Sequence, residues 1–122
     1  MDKSQILPVH TEADVILARL QVRNLARESG FNIMDQARIA LATSSLAHAL
    51  NLGGSNKGRI MIGSIQNDHR ACGVQVICEV TNGATCDQHP KNLGEVKIIV
   101  DQLTVESLSP QGFQVTLVKW RA

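Results

Sequence analysis

Apolar residues in the first part of the chain recur at helical spacing and later alternate as strands do, so the pattern places two long helices ahead of most of the β structure. A short extended segment, residues 5–10, leads to Thr11-Glu12-Ala13-Asp14. There Thr11 can accept from first-turn N–H groups and Asp14 can answer as a capping box. The helix that starts here carries Val15, Ile16, Leu20 and Leu25 and stops at Gly30, after which Phe31 is expected to pack back onto it. Asn32, with Asp35 three residues on, caps a second helix that runs to about Leu52, before Gly53-Gly54-Ser55-Asn56 breaks it. That helix is apolar on most sides between Ile39 and Leu50, which makes it the buried central one.

Two strands follow at residues 59–65 and 73–81, β-branched and separated by a polar loop at 67–70, and they read as a hairpin. Beyond a polar stretch at 82–92, the pattern predicts a third helix over 93–103. It then predicts strands at 104–108 and 113–118, turning at Ser109-Pro110-Gln111-Gly112. This order predicts an α/β fold, a two-layer sandwich with a mixed β-sheet covered by helices on one face.

Length and composition narrow the functional classes. The 122 residues fit a single domain with a core of Val, Ile, Leu and Ala, because Phe31, Phe113 and Trp120 are the only aromatics. Base-stacking platforms are hard to build from so few rings. Twelve Lys and Arg against eleven Asp and Glu give a net charge of +1, which offers no bulk attraction to nucleic acid or to an anionic membrane. No apolar run reaches the ~18 residues of a membrane span, and no apolar h-region follows the N-terminus, so the expected location is the cytoplasm. Cys72, Cys78 and Cys86 lack a Cys-x-x-Cys spacing and suit reduced thiols, with Cys78 in the core.

Specific chemistry enters through the signature Thr11-Glu12-Ala13-Asp14-Val15, Ala18-Arg19, Arg23-Asn24-Leu25-Ala26, Gly30-Phe31 and Asp35-Gln36-Ala37-Arg38-Ile39. Together with the closing run from Gly112 to Lys119-Trp120, it resembles the RsbT/RsbW-type anti-sigma-factor serine kinases and their stressosome relatives, members of the GHKL ATPase superfamily. The resemblance covers nearly the whole chain. It implies a Bergerat-type strand order and one histidine-kinase-like ATPase domain over residues 1–122.

Departures from the family pattern fall on the residues that do chemistry. Kinases of this family carry a Glu at the position of Ser45, as general base for the attacking hydroxyl, and a magnesium-holding Asn at the position of Ala49. A serine hydroxyl cannot take that proton near neutral pH, and a methyl group offers magnesium no oxygen. Four residues apart, Ser45 and Ala49 share one helix face, so both losses strike one side of one pocket. The family's adenine-binding Asp, first residue of an Asp-x-Gly-x-Gly box, is matched by Val80 in Val80-Thr81-Asn82-Gly83-Ala84, and valine cannot accept a hydrogen bond. Sliding the match to Glu79 fails, because strand side chains alternate and Glu79 faces away from Val74, Val76, Cys78 and Val80. The glycine-rich lid is cut to Asp87-Gln88-His89-Pro90-Lys91-Asn92-Leu93-Gly94. The resemblance therefore implies a degenerate member that needs no nucleotide or metal cofactor.

Other residues remain that can act. Arg19, Arg23 and Arg27 form a basic ridge on the first helix, offset by Glu12, Asp14 and Glu28 nearby. Arg19 matches the arginine that the family's kinases use to hold partners, and with Arg23 it is the candidate partner contact. His48 reads as a hydrogen-bonded wall residue. Cys86, Asp87 and His89 lack the second ligand pair that a metal site requires. Ser44 and Ser45 lie on a buried helix, which argues against their phosphorylation.

The leading expectation is a non-catalytic partner-switching regulator in a bacterial stress or sigma-factor circuit. Its implied partners are a STAS-domain antagonist, a sigma factor or a metal-dependent serine phosphatase. One alternative is an active serine/threonine kinase with a divergent ATP site built from Asn82, Lys91 and Lys97. Another is an assembly role, such as a homodimer, in which a second chain covers the apolar floor around Ser45, Ala49 and Val80.

Overall fold

Asp14 opens the helical layer. Its carboxylate accepts from the backbone N–H groups of His10 at 2.8 Å and Thr11 at 3.1 Å. These bonds fix the junction between strand β1 (Ser4–Val9) and helix α1 (Glu12–Glu28). The same bonds, the one from His10 foremost, hold the Asp14 carboxyl below its ordinary pKa. Gly30, at φ +90°, reverses the chain after α1. Asn32 then caps α2 (Ile33–Ala49) by accepting from the Asp35 N–H at 2.8 Å. In this computed structural model, residues 4–69, 71–81, 93–107 and 112–121 are described.

The remaining elements are β2 (Gly58–Gln66), β3 (Cys72–Val80), α3 (Gly94–Ile99), β4 (Gln102–Ser107) and β5 (Phe113–Trp120). The strands form a five-stranded sheet in the order β1-β2-β3-β5-β4. All four pairings between these strands are antiparallel. Among the described residues the isolated bridge between Leu52 and Asn56 supplies the one parallel contact. The architecture is the expected two-layer α/β sandwich.

Alternation along the strands decides what each face carries. Ile60, Ile62, Val74, Val76, Cys78 and Val80 point inward and join Val15, Val22, Ile39 and Leu46 of the two long helices in one core. Burial pushes the Cys78 thiol up to about 12, so it is a small apolar core group and not a nucleophile. Phe31, buried in the same cluster, does pack back as expected. No helix among the described residues is long and apolar enough to cross a membrane.

Two sequence expectations change. The third helix ends at Ile99 and not at Leu103, because β5 captures the following residues. Val100 is extended, the Asp101 N–H donates to the Val118 carbonyl at 2.9 Å, and the Asp101 carboxylate accepts from the Trp120 N–H at 2.7 Å. On α1 the buried stripe runs through Val15, Ala18, Val22, Leu25 and Ala26, which leaves Ile16 and Leu20 each 55% exposed.

Candidate functional site

The expected catalytic wall begins with the backbone of α2. Thr43 and Ser44 turn their hydroxyls back onto the helix, donating to the Ile39 carbonyl at 2.9 Å and the Leu41 carbonyl at 3.2 Å. Ser45, one position further round, is half-buried and does not share that inward orientation. With His48 and Ala49 of the same helix flank, and Glu95 from the first turn of α3, it lines an open cavity of about 340 Å³. Helical periodicity thus brings Ser45 and Ala49 together as the sequence predicts.

Val80 is elsewhere. It is fully buried at the end of β3, opposite Gly58 on β2 and Phe113 on β5, and belongs to the hydrophobic core. The apolar floor imagined for a second chain around Ser45, Ala49 and Val80 is therefore not one open surface, since this chain's own core already covers Val80. Glu79 faces away from the core, as alternation requires, and pairs with Arg59 across the strands at 3.1 Å.

His48 does more than the sequence reveals. Its Nε2–H donates to Glu12 Oε1 at 2.6 Å, joining the end of α2 to the first turn of α1 beside the cavity. Both side chains are more than half exposed, so the link orients the imidazole without burying it. Thirty-six positions separate the two residues, and no local spacing rule connects them. No local spacing rule connects Glu95 to this wall either, since only the packing of α3 brings it there. Among the described residues the cavity thus offers one hydroxyl, one methyl, one imidazole and one carboxylate, of which the last two can accept a proton.

Arg19 and Arg23 stand exposed on α1, and among the described residues neither makes an ion pair. Two of the acids expected to offset them are engaged elsewhere: Glu12 holds His48, and Asp14 caps the helix. Ile16 and Leu20 interleave with the arginines at helical spacing, so this flank combines cations with exposed apolar area. Of the alternative nucleotide site, Lys97 is exposed on α3. Asn82 and Lys91 lie outside the described residues, as do Cys86, Asp87 and His89.

No family model matches the chain. It is 30% identical over 133 residues to the serine/threonine-protein kinase RsbT of Bacillus subtilis (strain 168), a match that covers 98% of each chain. Its fold is similar to that of the RsbU and RsbW domains of Rv1364c from Mycobacterium tuberculosis, with a TM-score of 0.66 and 17% identity. That likeness takes in 100% of this chain and 33% of the mycobacterial one, and it concerns the fold alone.

Proposed function

Because the chain belongs to the RsbT/RsbW-type family of serine kinases, we propose that it is a non-catalytic partner-switching regulator of a bacterial sigma-factor or stress-response pathway. It acts by occupancy: it binds a STAS-domain protein, a sigma factor or a serine phosphatase, and differences in affinity set which complex forms. The observation that carries this reading is the pairing of Ser45 with Ala49 on one cavity wall. At these two positions the kinases of the family hold their base and their metal ligand. A missing general base alone typically costs 10²–10⁴-fold in rate, and the missing metal ligand removes charge neutralisation at the phosphates.

Binding has its own surface on α1. Exposed guanidinium groups beside exposed apolar side chains are what protein interfaces use as anchors, and Arg19 and Arg23, without ion pairs among the described residues, supply them with Ile16 and Leu20. The experiment is incubation of the full chain with magnesium, γ-labelled ATP and a STAS-domain protein from the same organism. Stoichiometric binding without transfer of label is expected, with Arg19→Ala weakening the complex about tenfold, or ~1.4 kcal/mol. Transfer of label to the partner would overturn this reading.

The hydrogen bond from His48 to Glu12 favours one second reading, an active serine/threonine kinase with a divergent ATP site. There an imidazole fixed by a carboxylate takes the proton that Ser45 cannot. It requires label transfer that is lost in His48→Ala while partner binding is kept.

A further inference from the structure

An open sheet ends in two edge strands, and each exposes backbone N–H and C=O groups that its single neighbour leaves unused. Here the edges are β1 and β4, and they are built differently. β1 carries Pro8, which has no N–H to offer a further strand. β4 reads Gln102-Leu103-Thr104-Val105-Glu106-Ser107, without the proline or lysine that ordinarily blunts an edge. Among the described elements only β5 packs extensively against it.

Side-chain rows that cross the sheet stop short at the β4 edge. On the core side, Leu7, Ile60, Cys78, Val115 and Val105 are successive cross-strand partners. Ile60, Cys78 and Val115 are fully buried, whereas Val105, last in the row, is 40% exposed. On the opposite face the adjoining row runs Arg59, Glu79, Gln114 and Glu106. Arg59 pairs with Glu79 at 3.1 Å, and the Gln114 amide donates to the Glu106 carboxylate at 3.2 Å. Glu106 therefore ends its row without a cationic partner among the described residues.

We propose that β4 is a docking edge for an extended segment of a partner protein, which adds to the sheet as a further strand. In such additions the backbone hydrogen bonds supply affinity and alternate side chains supply selectivity. The rows dictate the chemistry of the incoming strand. Opposite Glu106 it carries Lys or Arg, which completes a cross-strand pair of opposite charge. Opposite Leu103 and Val105 it carries apolar, β-branched residues, which continue the core rows and cover Val105. Opposite Thr104, whose own partner is Thr116, it carries a threonine or a similar small polar residue. A second copy of β4 cannot fill this role, because the strand contains no cation. The edge is distinct from the arginine flank of α1, so the proposal stands or falls separately from the reading of that flank.

The test is titration of the isotope-labelled full chain with the peptide acetyl-Thr-Lys-Val-Thr-Val-Thr-amide, read by amide NMR shifts. Running antiparallel, this peptide sets its Lys opposite Glu106 and its two Val opposite Val105 and Leu103. Saturable shifts centred on β4 and β5 are expected. N-methylation of the peptide nitrogens that face β4 should abolish them, because the added strand then has no donors. Exchanging the peptide's Lys for Glu should weaken binding about fivefold, and Glu106→Lys should reverse that preference. Glu106 is exposed, so the variant keeps the fold, as its unchanged core amide shifts would verify. No saturable shift at millimolar peptide would overturn the proposal. So would binding indifferent to backbone methylation or to the Glu106→Lys exchange. Shifts of β4 that grow with protein concentration alone would also overturn it, since they would put a second copy on this edge.

Discussion

Helices α1 and α2 are both seventeen residues long and contribute to the same core, yet their exposed sides carry opposite chemistry. α1 displays long, charged groups, with Arg19 and Arg23 free of ion pairs among the described residues and Ile16 and Leu20 between them. α2 displays Ser45 and Ala49 to a cavity, short side chains with neither a carboxylate nor an amide. The buried stripes specify the fold and leave the exposed flanks free to diverge, which on the proposed reading keeps a surface for binding without the groups for phosphotransfer.

The comparison breaks first at Val80, where the largest effect is expected. If the strand end is core and not pocket, Val80→Asp buries an unpaired carboxylate and should destabilise the fold by at least about 3 kcal/mol in urea unfolding. A loss below about 1 kcal/mol would mean that the position reaches solvent, as an adenine contact would need to. The two helices separate most clearly through charge. Arg19→Glu on α1 should weaken partner binding by roughly 100-fold, or ~2.8 kcal/mol, with little change in stability. On α2 the same assay applied to Ser45→Ala should show less than a twofold change, because the proposed regulator uses this hydroxyl neither for chemistry nor for the interface. Smallest of all is the link between the helices: His48→Ala should cost about 0.5 kcal/mol of stability, since the hydrogen bond to Glu12 is more than half exposed.

Local rules carried much of this from sequence to structure. The Asp14 and Asn32 caps act within a few residues, so spacing alone located both helix starts. Helical period placed Ser45 beside Ala49, and strand alternation separated Glu79 from Val80. What stayed hidden depends on packing or on distant partners. Ile16 and Leu20 look like core residues by size, but the helical phase of the buried stripe through Val15, Ala18, Val22, Leu25 and Ala26 turns both of them outward. The end of α3 is set by β5, which claims Asp101 through two hydrogen bonds that no helix signal in 93–103 announces. The contact of His48 with Glu12 and the arrival of Glu95 at the cavity both need the assembled fold.

Titration calorimetry of the folded chain with ATP and magnesium, at protein concentrations that detect millimolar affinity, reaches the central claim most directly. No heat of binding is expected, because the wall at Ser45 and Ala49 lacks the metal ligand and Val80 is closed within the core. Saturable, magnesium-dependent heat would contradict it and restore the kinase reading built on His48.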